Sequence, residues 1–179
     1  RVMPHFHLSL QAGNDLILKR MKRRHTRKQA IDFCHEVKKI RSDVVFGADI
    51  IAGFPTETDE MFKESIKLID ECNLTHLHIF PFSPRQSTPA ASMPQISKEV
   101  IKNRAKILRD CGNKNLLKYL NQQIGRKATM LVEEVDPTGS YGKSQHFTKI
   151  HIDKELPKGL IVNCKIYKMN ENILKAKLI

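Results

Sequence analysis

The sequence lacks the segments that would carry it into or across a membrane. No run of about eighteen consecutive apolar residues occurs, so no ordinary membrane-spanning helix is encoded. Residues 1–7, Arg-Val-Met-Pro-His-Phe-His, do not have the charged and then apolar layout of a secretory signal peptide. An initiator methionine is also missing from the first position, and we therefore expect the numbering to begin inside a longer, cytoplasmic protein.

Cysteine is scarce and scattered. The four cysteines, Cys34, Cys72, Cys111 and Cys164, include no C-x-x-C pair. This spacing supports neither a zinc site nor a disulfide framework, and we expect reduced thiols. With 179 residues, of which 40% are hydrophobic, the chain can bury a core of its own, most simply as one domain and a smaller second one.

Acidic residues are outnumbered, and the excess positive charge is concentrated in two places. The net charge is +12; residues 19–41 contain ten Lys or Arg against two acids, and residues 123–179 contain ten against six. Positive charge focused in this way is typical of a surface that binds a polyanion. The alternative is a solvated face that only keeps the protein soluble.

Strand and helix patterns alternate through the first two thirds of the chain. Residues 5–11 alternate between polar and apolar side chains, as a strand with two different faces does. Thr26 is the predicted N-cap of the helix that follows, with its apolar stripe at Ala30, Phe33, Val37 and Ile40. The predicted strands are residues 5–11, 44–52 and 74–82; the predicted helices are residues 26–40, a helix that starts at Thr56 or Thr58, and residues 97–120.

Three consecutive βα units indicate a parallel sheet covered by helices, in an α/β fold. Each strand keeps polar groups on one face, for example His5, His7 and Gln11 on the first strand. A polar inner face favours part of a barrel over an open sheet, which is apolar on both faces. Three strands cannot close a barrel, so we expect the missing strands to come from upstream sequence or, less simply, from a second copy.

The tail after Gly125 has a different character. Residues 128–135, 145–152, 160–168 and 172–178 are β-rich and are separated by turns at 136–139, 153–157 and 170–171. Short strands with a basic excess predict a small antiparallel β-barrel of the oligonucleotide-binding type. The predicted domains are therefore residues 1–122 and residues 123–179.

The carboxyl ends of the strands in an α/β barrel carry the active site, which here means residues 11–13, 49–57 and 80–88. These segments contain no Ser-His-Asp arrangement, no pair of positioned carboxylates and no glycine-rich phosphate loop. They offer glycines, aromatic side chains and a few hydrogen-bonding groups instead. Such a wall is suited to hold a cofactor that performs the chemistry.

Two His-x-His pairs suggest an alternative. His5 with His7, and His76 with His78, each place two imidazoles on one strand face, a pattern that metal-dependent barrel hydrolases use. No carboxylate ligand is evident beside them, and they lie early in their strands. We therefore predict packed, hydrogen-bonded histidines and no metal site.

Four segments at consecutive strand ends resemble one known family. They read HLSLQAG at residues 7–13, LKRMKRRHT at 18–26, DIIAGFPTET at 49–58 and FPFSPRQSTPA at 80–90. These segments resemble the radical S-adenosylmethionine (radical SAM) tRNA methylthiotransferases, and the tail resembles their RNA-binding TRAM domain. The LKRMKRRHT segment is most similar to the branch that modifies N6-threonylcarbamoyladenosine beside the anticodon.

The resemblance implies that this chain is the C-terminal part of such an enzyme: the last three βα units of a partial barrel of the TIM type, followed by the TRAM barrel. It implies S-adenosylmethionine as cofactor and two 4Fe-4S clusters whose cysteine ligands lie upstream and are absent here. The implied partners are the anticodon stem-loop of tRNA and the missing N-terminal part. We expect no catalytic residue in this chain, and no activity from it alone. A stand-alone RNA-binding module is the alternative.

The resemblance also implies roles for individual residues. Asp49, Ile51 and Gly53 would line the adenosine, Gln11 would lie near its ribose and the methionine, and residues 80–82 would contact the adenine. The complete set implied for the cofactor is Gln11, Ala12, Asp49, Ile51, Gly53, Phe80, Pro81 and Phe82. The set expected to contact RNA phosphates is Lys19, Arg20, Lys22, Arg23, Arg24, Arg126, Lys127, Lys143 and Lys149.

Three of these residues have alternative roles, and two positions differ from the family pattern. Asp49 could instead pair with Arg85 or with a histidine inside the barrel, and Phe80 and Phe82 could simply fill space. Ala12 stands where the family usually has Ser, which could remove a hydrogen bond near the cofactor. Ser87 stands where it usually has Gly, which could stiffen the loop after the last strand.

Overall fold

The computed structural model describes residues 2–179 as two compact units. One unit is Phe6–Asn115; the other is Leu116–Ile179 together with residues 2–5. The boundary expected between residues 122 and 123 stays a prediction. No helix within residues 2–179 is both long and apolar enough to cross a membrane. All four cysteines are free thiols.

The first unit contains a three-stranded sheet with the order β1-β2-β3, in which β2 and β3 run parallel. Its elements are β1 (His5–Gln11), α1 (Asp15–Arg20), α2 (Arg27–Ile40), β2 (Val45–Ala52), α3 (Asp59–Glu71), β3 (Leu74–Pro81), a short 3-10 helix (Pro89–Ser92) and α4 (Lys98–Gln123), whose last turns belong to the second unit. Apolar side chains of β2, such as Phe46 and Ile50, pack with helix residues such as Phe62 and Leu68 into the core. The predicted strand–helix alternation is confirmed.

Local capping explains where the helices begin. Thr26 accepts a hydrogen bond from the backbone N–H of Gln29, whose side chain accepts one from the Thr26 N–H in return, forming a capping box. Thr58, and not Thr56, is the N-cap of α3, because its side chain accepts from the Met61 N–H. Helix α1 was not anticipated: its two buried apolar residues, Ile17 and Leu18, stand just before the basic run and are too few to give a helical period.

The predicted apolar stripe of α2 is wrong at two positions. Phe33 is 44% exposed and Ile40 is 86% exposed, whereas Cys34 is buried together with Ala30. The buried ridge therefore follows the i, i+4 pair of Ala30 and Cys34, with Val37 partly covered. Ile40 escapes burial because it is the last residue of the helix.

The second unit is a closed five-stranded β-barrel with the order β4-β5-β6-β8-β7. Its strands are β4 (Lys127–Asp136), β5 (Gly139–Ser144), β6 (Lys149–Ile152), β7 (Ile161–Asn170) and β8 (Ile173–Leu178). The α/β fold with a small barrel is thus as predicted, with two differences. Strand β6 pairs parallel with β8, so the barrel is not wholly antiparallel. Strand β5 also lies partly where a turn was expected.

Strand β5 escaped prediction because two glycines and two serines give it little β-propensity. The barrel nevertheless requires glycine there. A Cβ at Gly142 would lie 1.8 Å from the Leu131 carbonyl oxygen on the neighbouring strand. Close approach of two backbones, and not side-chain preference, therefore determines this part of the barrel.

Candidate functional site

A cavity of about 440 Å³ lies beside the carboxyl-terminal parts of β1, β2 and β3. This volume is within the range of small-molecule sites. Aromatic and aliphatic side chains share the wall with a carboxylate, an amide and a guanidinium group. The lining residues are Gln11, Asp49, Ile51, Phe80, Pro81, Phe82, Ser83, Arg85, Thr88 and Ala90.

Six of the eight residues implied for the cofactor line this one cavity, which joins the ends of three separate strands; they are Gln11, Asp49, Ile51, Phe80, Pro81 and Phe82. The other two do not line it. Ala12 is buried in a small apolar cluster with Ile17 and Leu18. A side chain at Gly53 would point at Ile101, not at the cavity. The cofactor role of all eight residues stays a prediction.

The turn after β2 is held by a buried ion pair that the sequence did not reveal. Gly53 has a positive φ of 74°, and its N–H donates to Glu57 Oε2 at 3.1 Å. Arg104 of α4 donates to Glu57 Oε2 and to the Glu57 carbonyl oxygen, both at 2.9 Å. Glu57 resembled an ordinary acid at a helix start, so only the fold could show its partner.

Burial raises the pKa of Glu57 above its ordinary value, while the charge of Arg104 acts in the opposite direction. The two side chains are 1% and 7% exposed. The pair therefore ties the end of β2 to α4, and it depends on both partners being present.

Asp49 lies between two histidines from the strands on either side of it. His7 Nε2 is 2.8 Å from Asp49 Oδ1, and His78 Nδ1 is 3.3 Å from the same oxygen. The imidazole centroids of His7 and His78 are 4.7 Å apart. The expectation that no carboxylate stands beside the histidine pairs is therefore wrong. The alternative in which Asp49 pairs with a histidine is confirmed, here on a three-stranded sheet.

These three residues are also a set that could hold a metal ion among residues 2–179. Two imidazoles and one carboxylate would suit zinc or iron. However, ligand atoms bound at 2.0–2.1 Å in a tetrahedron lie roughly 3.3 Å apart, and the 2.8 Å between His7 and Asp49 is shorter. The observed geometry is that of a hydrogen bond, and the absence of a metal site stays a prediction.

The basic run begins in the last turn of helix α1, continues beyond it and is largely exposed. Lys19, Lys22, Arg23 and Arg24 are all exposed at the surface. Arg20 is only partly exposed, since its guanidinium donates to the Thr56 hydroxyl beside the turn after β2. The run thus offers cations to solvent and also fixes one of them to the turn after β2.

Lysines face one another across the barrel strands. Lys127 is paired with Lys165, which is paired in turn with Lys177, so three lysines form a row over β4, β7 and β8. Lys143 is paired with Lys149 across β5 and β6. Like charges directly opposite each other destabilise a sheet. Lys165 and Lys177 were not among the predicted RNA contacts, because only the strand register shows their position.

Comparison with known protein families identifies the class of domain to which the first unit is similar. Residues 2–69 match the model of the radical SAM superfamily. This segment contains β1, β2 and the helices between and after them, including Gln11 and Asp49 of the cavity. The part of the first unit that contains β1 and β2 therefore matches a radical SAM domain.

Individual relatives narrow the class to one family. The chain is 46% identical over 179 residues to the threonylcarbamoyladenosine tRNA methylthiotransferase MtaB of Rickettsia prowazekii, covering 100% of this chain and 42% of that protein. It is 33% identical over 153 residues to the tRNA-2-methylthio-N(6)-dimethylallyladenosine synthase of Neorickettsia sennetsu, covering 86% of this chain and 32% of that one. The chain belongs to the radical SAM tRNA methylthiotransferase family.

These alignments cover only part of each relative. The chain spans about two fifths or less of the length of these relatives, 42% and 32%. Among solved structures, the apo form of Mycoplasma genitalium RNase R aligns over 45% of this chain and 17% of its own, with 12% identity and a TM-score of 0.33. That likeness is too distant to support an inference.

Proposed function

We propose that this chain is the cofactor-supporting and RNA-binding part of an enzyme that adds a methylthio group to N6-threonylcarbamoyladenosine in tRNA, beside the anticodon. The observation that carries the proposal is the convergence of six implied cofactor residues on one cavity. All 179 residues of this chain align with 42% of an enzyme that is named for this reaction. We further propose that the protein acts in the cytoplasm, with an upstream part as its partner.

The cavity has the chemistry that the adenosyl half of S-adenosylmethionine requires. Phe80 and Phe82 offer flat apolar surface, and Ile51 adds aliphatic contact. Asp49 offers a carboxylate oxygen, and Gln11 an amide, to the hydroxyl and amino groups of the ligand. When bound, the cofactor supplies the radical chemistry, while these side chains bind and orient its adenosyl group.

The 4Fe-4S clusters do not fit the residues of this chain. Cys34, Cys72 and Cys164 are buried and Cys111 is half-buried. No cysteine joins the group of potential metal ligands found within residues 2–179. The proposal therefore assigns the cluster ligands to sequence upstream and predicts that this chain alone is inactive.

RNA binding is assigned to two basic surfaces, one in each unit. The first contains the exposed residues Lys19, Lys22, Arg23 and Arg24. The second is on the barrel and contains Arg126, Lys127, Lys143 and Lys149, with Lys165 and Lys177 added from the strand register. Lysines that repel one another across strands are stabilised when a polyanion binds over them, as expected for phosphate contacts that position the anticodon stem-loop.

The decisive experiment is nucleoside analysis of tRNA by mass spectrometry. The whole protein that contains this chain is expressed in a bacterial strain that makes N6-threonylcarbamoyladenosine without its methylthio group. We expect the methylthio derivative to appear with the wild type and with the control Lys158→Gln, and to disappear with Asp49→Ala. The residue 1–179 chain alone should give none.

Two other outcomes would contradict parts of the proposal. Methylthiolation of dimethylallyladenosine instead would assign the chain to the other branch of the family. If the whole protein modifies no nucleoside but this chain still binds tRNA, the stand-alone RNA-binding module becomes the better description.

A further inference from the structure

We infer that His7 and His78 are positioning residues: together they hold one oxygen of Asp49, so that the other oxygen is presented to a hydrogen-bond donor of the bound ligand. This inference rests on the proposed function, because it requires the cavity beside Asp49 to hold the adenosyl group. It adds a role for two histidines that the proposed function does not use.

The first step is the asymmetry of the carboxylate contacts. Both imidazole nitrogens approach Oδ1 of Asp49, at 2.8 Å from His7 Nε2 and 3.3 Å from His78 Nδ1. The hydrogen bond and the ion-pair contacts that Asp49 makes with these histidines all involve Oδ1. A carboxylate has about four acceptor positions, so contacts on one oxygen leave the second oxygen able to accept from a ligand.

The second step is that the three residues come from three different strands. His7 is on β1, Asp49 on β2 and His78 on β3, and Asp49 is directly opposite His78 in the parallel register. Asp49 itself lines the cavity, whereas neither histidine does. The histidines thus approach the carboxylate from its strand neighbours and leave the cavity side open.

The third step is that Asp49 needs such support. Its side chain is 28% exposed, and those of His7 and His78 are 32% and 58% exposed. A carboxylate this accessible to water would otherwise sample several orientations. The hydrogen bond to His7 and the close contact with His78, both rigid rings on neighbouring strands, favour one orientation before the ligand arrives, which lowers the ordering cost of binding.

The two histidines use different ring nitrogens, and this difference allows a sharp test. Gln places its amide nitrogen near the position of His Nε2, and Asn places its amide nitrogen near that of His Nδ1. His7→Gln and His78→Asn therefore keep the donor, while His7→Leu and His78→Leu remove it. His7→Asn and His78→Gln are matched controls, since each carries an amide nitrogen at the wrong distance from the Asp49 carboxylate.

The experiment measures the Kd of S-adenosylhomocysteine by calorimetry on the whole protein that contains this chain, with thermal unfolding recorded for every variant. We expect His7→Leu and His7→Asn to raise Kd by about five- to tenfold, as loss of one hydrogen bond would. His78→Leu and His78→Gln should raise it by about threefold, because the His78 contact is longer and more exposed. His7→Gln and His78→Asn should stay within about twofold of the wild type. In an Asp49→Asn background, His7→Leu should have little further effect, because the two residues act as one unit.

The possible failures are distinguishable. If the wild type does not bind S-adenosylhomocysteine, or if Asp49→Ala binds it equally well, the assignment of the cavity to the cofactor is wrong. If the wild type binds and Asp49→Ala does not, but His7→Leu and His78→Leu bind as the wild type does, only the positioning role is wrong. Equal losses for His7→Leu and His7→Gln would also overturn it, since they would indicate a packing role for the ring.

Discussion

Replacing Arg104 by Met should destabilise the first unit strongly, because it leaves the buried carboxylate of Glu57 without its cation. Arg104 donates two hydrogen bonds to Glu57 and a third, at 2.7 Å, to the exposed Asp59. Breaking a buried ion pair by removing one partner costs about 3–5 kcal/mol of unfolding free energy. The contact with Asp59, which is 78% exposed, should contribute little.

The unfolding free energy lost in Arg104→Met should increase with pH. Burial already raises the pKa of Glu57, and the variant loses the Arg104 charge that opposes this most, while the Gly53 N–H stays. An acid whose pKa is raised in the folded state destabilises the fold above that pKa, and the penalty fades as the pH falls towards the unfolded value. Arg104→Met should therefore be more damaging at pH 8 than at pH 5.

The assay is urea unfolding of the wild type, Arg104→Met and Arg104→Met/Glu57→Gln at both pH values. The double variant carries no buried charge and should recover much of the lost stability at pH 8. Arg109→Met, on the same helix but exposed, is the matched control and should cost less than about 1 kcal/mol. A loss for Arg104→Met that is equally small, or that does not change with pH, would refute the reasoning.

Three further predictions concern packing, backbone conformation and charge. Gly13→Ala should lower the unfolding free energy by about 1–3 kcal/mol, because the new Cβ would lie 2.4 Å from the Ser65 Cα. Gly112→Ala meets only the movable Leu77 side chain and should lower it less in the same urea assay. Ser87→Gly should stabilise the fold by about 0.5 kcal/mol, since Ser87 has a φ of 66°, and Ser83→Gly should not; a loss of stability at position 87 would contradict this. The triple change of Lys127, Lys165 and Lys177 to Gln should weaken tRNA binding and reduce the slope of log K against log salt by about 2 in fluorescence anisotropy, whereas Lys154→Gln/Lys158→Gln should leave the slope within about 1 of the wild type.

The order of elements was predictable from the sequence because periodicity and capping are local. Thr26 and Thr58 stand at true helix starts, and residues 5–11 and 44–52 carry the strand patterns that the fold uses. The clustering of Gln11, Asp49 and Phe80 was predictable for a similar reason, since the ends of parallel strands meet at one edge of the sheet.

What escaped prediction depends on partners that are distant in sequence. Arg104 meets Glu57 across 47 residues. A histidine partner for Asp49 was one alternative, but only the fold identifies it as His7, 42 residues away. The row of Lys127 and Lys165 depends on strand register, which a one-residue slip would destroy. Ser87 shows the opposite case: its residue type departs from the family pattern, and its positive φ supplies the physical reason why glycine suits that position.

The central claim is that the cavity beside Asp49 holds the adenosyl group of S-adenosylmethionine. Its most direct measurement is a crystal structure of the whole protein that contains this chain, determined with bound S-adenosylhomocysteine. The account predicts the adenine against Phe80 or Phe82, and a hydroxyl or amino group of the ligand within hydrogen-bond distance of Asp49 Oδ2. A ligand bound elsewhere, with Asp49 contacting only His7 and His78, would contradict it.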